Sequence, residues 1–187
     1  MSGPTSTSTP PSQPQTELPK TPIRILGLDP GSRHTGFGVI DKDGGHLKML
    51  RFGRFSPPAK AQLGTRLAGL AIALDALLDE LRPLYAALET PFQGLNPRSL
   101  IVLSQARGAL LATLARRGIE IREYTPTEVK SAVSGYGRAS KDQVNRMVRE
   151  ILSIRDAVPS PDAADALAVA ICCANRSRYD ELVRVHG

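Results

Sequence analysis

The spacing of apolar residues changes period several times along the chain, and each change marks an element. IRILGLD (23–29) is a short apolar run that ends on Asp29. TGFGVIDK (35–42) and LKMLRFGRF (47–55) are two further strand-like runs, and the DGG between them signals a hairpin. The pattern then becomes helical. Leu63, Leu67, Leu70, Leu74, Leu77, Leu78 and Leu81 recur at helical spacing, and Pro83 closes the segment. LYAALE (84–89) is a fourth strand and again ends on an acid, Glu89. PRSLIVLSQARGALLATLARRG (97–118) is a long helix with Gly118 as its C-cap, and IEIREY (119–124) is a fifth strand.

Three helix starts follow, each with a hydroxyl cap. Thr125 precedes Pro126 in TPTEVKSAVSG, Ser140 opens SKDQVNRMVREIL, and Ser160 precedes Pro161 in SPDAADALAVAICCANR. The order β-β-β-α-β-α-β-α-α-α predicts an α/β fold. Its mixed five-stranded sheet would start with an antiparallel hairpin and carry helices on both faces. Residues 1–22 are Ser, Thr and Pro with almost no apolar content, which predicts a disordered tail. The reading is one domain over 23–176 and a charged C-terminal tail over 177–187.

Composition narrows the function. The net charge of +6 favours a polyanionic partner, whereas 4% aromatics and no Trp argue against a broad stacking platform for single strands. Cys172 and Cys173 are adjacent, which suits neither a disulfide framework nor a metal pair. They read as small apolar helix residues in a reducing compartment. No signal sequence and no uncharged apolar run of membrane-spanning length stands in the sequence, so the expectation is a cytoplasmic protein without a membrane partner.

Asp29 and Glu89 both close apolar strands, and ligands of α/β folds collect at strand C-termini. Asp162 and Asp165 fall in the first turn of the last helix, on one face by their i, i+3 spacing. Each has an ordinary reading. Asp29 can be a turn former before Pro30, Glu89 a solvated strand end, and the two aspartates partners of the helix dipole. The combination suggests more. If the two strands are parallel neighbours, their acids end at one edge, and the helix start closes the group. Four clustered carboxylates stay ionised only around a cation. Mg²⁺ takes carboxylate and phosphate oxygens, and a two-metal site clamps both oxygens of a phosphoryl transfer. Gly36 and Gly38 would leave room beside Asp29 for a backbone or a phosphate.

The segment from Lys130 to Arg149 carries Lys130, Arg138, Lys141, Arg146 and Arg149 against one acid, Asp142. It is either a solvated helix face or a phosphate-binding surface with salt-sensitive affinity. SGYGRAS (134–140) reads as a flexible loop beside it. Phe92, on a Gly- and Pro-punctuated loop, either packs on the core or wedges between unstacked bases.

The stretches GLDPGSRHTGFGVI, ALET followed by PF, LSQARG, EVKSAVSGYGRASKDQV and PDAADALAVAI together resemble the RuvC-type Holliday junction resolvases of the RNase H-like nuclease superfamily. The resemblance spans roughly residues 23–176. It implies an RNase H-like fold and four metal-binding acids that match Asp29, Glu89, Asp162 and Asp165. It implies hydrolysis of a phosphodiester with Mg²⁺, two ions per site, Mn²⁺ being able to substitute. It implies a homodimer acting on four-way junction DNA during recombination and repair, together with the RuvA–RuvB branch-migration complex. Phe92, Lys130 and Lys141 match family positions tied to DNA binding and junction distortion; Arg138 and Arg146 join them from the basic segment. Arg107 matches a basic family position without an assigned role.

Three rivals stand beside this reading. A non-catalytic junction-binding module would be favoured by loss of one acid, and none is lost. A sugar-kinase-like or actin-like ATPase shares the Asp-x-Gly turn, yet needs a second lobe for which this body leaves little room. A related nuclease acting on RNA–DNA hybrid or another branched DNA remains open.

Overall fold

A hairpin forms where the sequence supplies two glycines between two alternating runs. Gly44, with φ of 55°, and Gly45 connect β2 (Thr35–Asp43) to β3 (His46–Phe55). The computed structural model describes residues 21–31, 33–90, 97–155 and 160–186, with 177–186 by backbone alone. β1 (Ile23–Asp29) pairs antiparallel with β2 and parallel with β4 (Tyr85–Glu89), and β4 pairs parallel with β5 (Glu120–Tyr124). The sheet order is β3-β2-β1-β4-β5. The element order and the mixed five-stranded sheet are those expected.

Five helices cover the sheet. α1 (Leu63–Leu81) and α2 (Pro97–Arg116) lie on one face, and α3 (Pro126–Ser134), α4 (Lys141–Ile151) and α5 (Pro161–His186) on the other. Strand side chains alternate between two cores. Leu26, Leu28, Val39 and Leu88 pack on α1 and α2 with Leu70, Leu74, Leu77 and Leu78. Ile25, Ile40 and Ala87 pack on the other three helices with Val129, Val148, Leu167 and Ile171.

The local signals work as read. α1 ends on Arg82 in the left-handed region, one residue before Pro83. Gly118, at φ of 67°, closes the turn after α2. Thr125 and Ser140 each form a reciprocal capping box, with Glu128 and Gln143. Ser160 Oγ accepts from the Ala163 amide at 3.4 Å. Ser134–Ser140, expected as a flexible loop, is a defined turn: Gly135 caps α3 at φ of 75°, and the Ala139 amide donates to the Tyr136 carbonyl at 3.1 Å. α5 continues as one helix to His186, through the segment read as a C-terminal tail. Cys172 and Cys173 are free and buried within it. No helix among the described residues is long and apolar enough to cross a membrane. The Ser/Thr/Pro segment 1–20 and Phe92 lie outside the described residues.

Candidate active site

Period two decides where the strand acids point. Ile25, Gly27 and Asp29 share the face of β1 that meets α5, and Ala87 and Glu89 share that face of β4. Leu28 pairs with Leu88 in parallel register, so the next residues, Asp29 and Glu89, end side by side. Neither acid could have fallen on the leucine-packed face without a shift of register.

α5 brings the other two carboxylates, and glycines set how close it comes. A Cβ on Gly36, the ladder partner of Asp29, would lie 2.0 Å from the Asp162 carbonyl oxygen. One on Gly27 would lie 2.0 Å from the Ala166 carbonyl, and one on Gly38 2.6 Å from Leu167. The space beside Asp29 therefore holds a helix backbone. Asp162 begins that helix against β2, and Asp165 stands one turn on, above Asp29 and Glu89.

The acids are near enough to act on one another. Burial first, then the charges of Asp165, Glu89 and Asp162, push the Asp29 carboxyl up to about 7, with Lys141 opposing. Burial and Asp165 likewise raise Glu89, against Lys130 and Lys141. Lys141 Nζ donates to Asp165 Oδ2 at 2.5 Å, and this bond holds the ammonium above its usual range. Among the described residues no three His, Cys, Asp or Glu side chains are gathered tightly enough to hold a metal ion as they stand. The donor set is nonetheless all oxygen, half-buried and in excess of negative charge, which fits a hard divalent cation.

Beside the acids lies a cleft of about 220 Å³ lined by Glu89, Pro126, Lys130, Lys141, Val144 and Asp165. Two of the expected DNA-binding residues, Lys130 and Lys141, thus share a wall with two of the acids. Arg138 is exposed on the turn before α4. Arg146 is elsewhere: it lines a separate, larger cavity of about 670 Å³ with Asp142, Asn145, Arg149 and Arg155. That cavity contains none of the four clustered acids, and its size alone gives it no claim on their chemistry.

Arg107, left without a role by the sequence, is buried under this site. Its Nη1 donates to the Glu89 carbonyl at 2.8 Å and its Nη2 pairs with Glu123. The guanidinium fixes the end of β4 from below. The sequence carries a signal for it: Arg107 is the sole charged residue between Arg98 and Arg116.

A family model described as crossover junction endodeoxyribonuclease RuvC matches residues 25–173. The crossover junction endodeoxyribonuclease RuvC of Bordetella pertussis is 47% identical over 153 residues, 82% of this chain and 84% of that protein. The namesake from Heliobacterium modesticaldum is 43% identical over 152 residues, 81% of this chain and 93% of that one. Among solved structures, T. thermophilus RuvC in complex with Holliday junction substrate superposes with a TM-score of 0.80 at 29% identity, over 84% of this chain and 96% of that chain. The yeast mitochondrial Holliday junction resolvase Ydc2 shares the fold, with a TM-score of 0.61 at 15% identity over 82% of this chain and 78% of that one.

Proposed function

The chain belongs to the RuvC family of crossover junction endodeoxyribonucleases, and from that premise we propose that it resolves four-way DNA junctions by paired, symmetric hydrolysis of phosphodiesters at Asp29, Glu89, Asp162 and Asp165. The observation that carries the reading is the meeting of these four carboxylates at one end of the sheet, beside Lys130 and Lys141.

The four acids are the residues that would hold Mg²⁺. When bound there, the metal supplies an activated water and charge neutralisation on the phosphate. The protein's own groups do the rest. Burial and the neighbouring acids raise the Asp29 carboxyl to about 7, so a metal held there would compete with a proton and its binding would be coupled to proton release. Lys141 exchanges Asp165 for a phosphate oxygen, and Lys130 meets the backbone across the cleft. Arg107 keeps Glu89 in register while these charges change. Phe92, Arg138 and Arg146 extend the contact with DNA. Two nicks related by a twofold axis need two such sites, which an isologous homodimer provides. The RuvA–RuvB complex is the partner that would present the junction.

The test is a mobile synthetic four-way junction, a matched duplex and an RNA–DNA hybrid, each incubated with Mg²⁺ or EDTA, with cuts mapped on a denaturing gel. Paired nicks in the junction alone, with metal alone, are expected. Binding without cutting would make the protein a structural module, and cutting of the hybrid would replace the substrate.

A further inference from the structure

The turn between α3 and α4 sends alternate residues inward and outward. Gly137 and Ala139 are the inward pair. A Cβ on Gly137 would lie 2.8 Å from Thr127 Cγ2 and 3.0 Å from Ser131 Oγ, so the backbone rests directly on α3. Ala139 is buried in the core with Val129, Val133 and Val144. Tyr136 and Arg138 are the outward pair: Tyr136 is 60% exposed, and Arg138 is exposed as well. Hydrogen bonds fix the backbone between them. The Gly135 amide closes α3 on the Ser131 carbonyl at 2.9 Å. Ser134 Oγ donates to the Lys130 carbonyl at 2.7 Å and accepts from the Tyr136 amide at 3.4 Å. The Tyr136 carbonyl accepts from the Ala139 amide at 3.1 Å. Both backbone groups of Tyr136 are engaged, whereas its ring makes no stacked or cation-π contact among the described residues.

This turn borders the acid-lined cleft. Thr127, on which Gly137 rests, follows Pro126, which lines that cleft with Glu89 and Asp165. At its other end the turn passes through Ser140 into Lys141, which is bonded to Asp165. A single exposed tyrosine is ordinary in itself. Its surroundings set this one apart. Among the described residues the other exposed large apolar side chains are aliphatic: Ile72, Leu100 and Ile101 on α1 and α2, and Leu84 ahead of β4. Tyr136 alone stands on the basic segment, on a fixed backbone, two residues from an exposed cation. A ring and a cation on one turn match one stretch of an opened strand, base face to ring and phosphate to guanidinium. A duplex offers no free base face, because each base is covered on both sides by its neighbours. A four-way junction offers them at its crossover once the central pairs part.

We propose that Tyr136 stacks on a base unpaired at the crossover of the bound junction, with Arg138 on the adjoining phosphate, a role that rests on the junction-resolving reading above and supplies its discrimination of junction from duplex. Lys130 and Lys141 meet phosphates, which every DNA carries. Tyr136 adds a contact that only an opened strand can make. One ring suffices for one base, which agrees with a chain too poor in aromatics for a stacking platform. A tyrosine orders few torsions on binding and its backbone is already fixed, so little of the contact is lost to ordering.

The test uses the cleavage-dead Glu89→Gln full chain as parent, with and without Tyr136→Ala, in Mg²⁺. The probes are a synthetic four-way junction with 2-aminopurine at positions flanking the crossover and a matched duplex with the same label. A ring stacked on the labelled base quenches its emission. Tyr136→Ala should weaken junction binding roughly 5- to 150-fold, leave duplex binding within about twofold, and brighten the bound label at one position. Tyr136→Phe, which keeps the ring and loses the hydroxyl, should match the parent on every count. The salt slope should stay unchanged, because no charge is lost. Equal losses on junction and duplex, unchanged emission at every labelled position, or a Tyr136→Phe variant that behaves like Tyr136→Ala would each overturn the stacking contact. The last result would assign the residue's role to its hydroxyl. Should Tyr136→Ala lower the melting temperature, Tyr136→Leu decides, since it keeps apolar bulk without a ring: it should lose the preference for junction, and a parent-like preference would overturn the proposal. A parent that binds junction no better than duplex refutes the resolvase reading itself. A parent that prefers the junction, with that preference intact in Tyr136→Ala, refutes the stacking alone.

Discussion

The two faces of the sheet are built from alternate residues of the same strands and do different work. The α1–α2 face is filled with bulk: leucines from both helices, and Phe37 stacked on Phe55 with ring centroids 4.8 Å apart. Several of its cations are paired. Arg24 binds Asp41 at 2.8 Å, Arg51 binds Glu80, and Arg116 and Arg117 bind Asp75 and Asp79. The α5 face has glycine and alanine where the other has leucine, and it carries all four acids. Its basic residues Lys130, Arg138 and Arg146 form no ion pair among the described residues. Bulk secures a helix at a distance set by side chains. Its absence lets a helix backbone reach the sheet, which is what aligns acids from three elements.

The largest effect should come from the acids themselves. Asp29→Asn, Glu89→Gln, Asp162→Asn and Asp165→Asn should each lower the junction cleavage rate by more than the roughly 100-fold typical of outer-sphere partners, with junction binding retained. A gel-shift assay beside a cleavage assay checks both, and a variant that cuts at the wild-type rate would remove that acid from the site.

A matched pair separates the faces. Leu74→Ala, at a fully buried position of the bulky face, should lose about 2–5 kcal/mol in urea unfolding while the folded fraction cuts normally. Gly36→Ala should lose less, about 1–3 kcal/mol, yet impair cleavage, because its methyl must push the start of α5 away from Asp29. Equal activity losses per folded molecule would deny the α5 face its positioning role.

The bulky face was the more legible one. Leucines at three- and four-residue steps name their helix and its buried side directly, and capping residues mark where α3, α4 and α5 begin. Asp29 and Glu89 stood out because an apolar strand rarely ends by chance on an acid twice. The route from Asp162 to Asp29 was only half visible. Gly36 and Gly38 showed that something comes close, but a glycine records an absence of bulk and not the identity of its neighbour. Arg107 and Lys42, both buried, were harder. Burial of a long charged side chain depends on which helices close over it, and that is a tertiary property. The strand-end position of Lys42 is one where a solvated lysine is ordinary.

Stability against pH should show the strain on the acid face. The Asp29 carboxyl titrates near 7 in the folded chain and near 3.8 when unfolded. Between these values the folded state binds the extra proton, so this group's contribution is favourable below about 4 and is lost as pH rises toward 7. In EDTA, Asp29→Asn should therefore gain on the wild type over that window, by about 1–3 kcal/mol at its upper end. Mg²⁺ should narrow the gap by favouring the ionised wild-type site. Parallel pH profiles in EDTA would mean that neither burial nor the other three acids raise the Asp29 carboxyl.

The smallest effect is the one that separates the cations. Each phosphate contact contributes about 0.9 to the slope of log affinity against log salt on duplex DNA. Lys141→Ala, measured with the cleavage-dead Glu89→Gln background and divalent metal present, should lower the slope for junction binding by about one. Arg117→Ala should leave it unchanged, because Arg117 is already neutralised by Asp75 and Asp79 on the other face. The comparison holds the net charge change constant, so a general field effect would move both variants alike. A slope that falls only for Lys141 means a local phosphate contact. A slope that falls equally for Arg117 would mean that DNA reads the overall charge of the protein and not the face on which the charge stands.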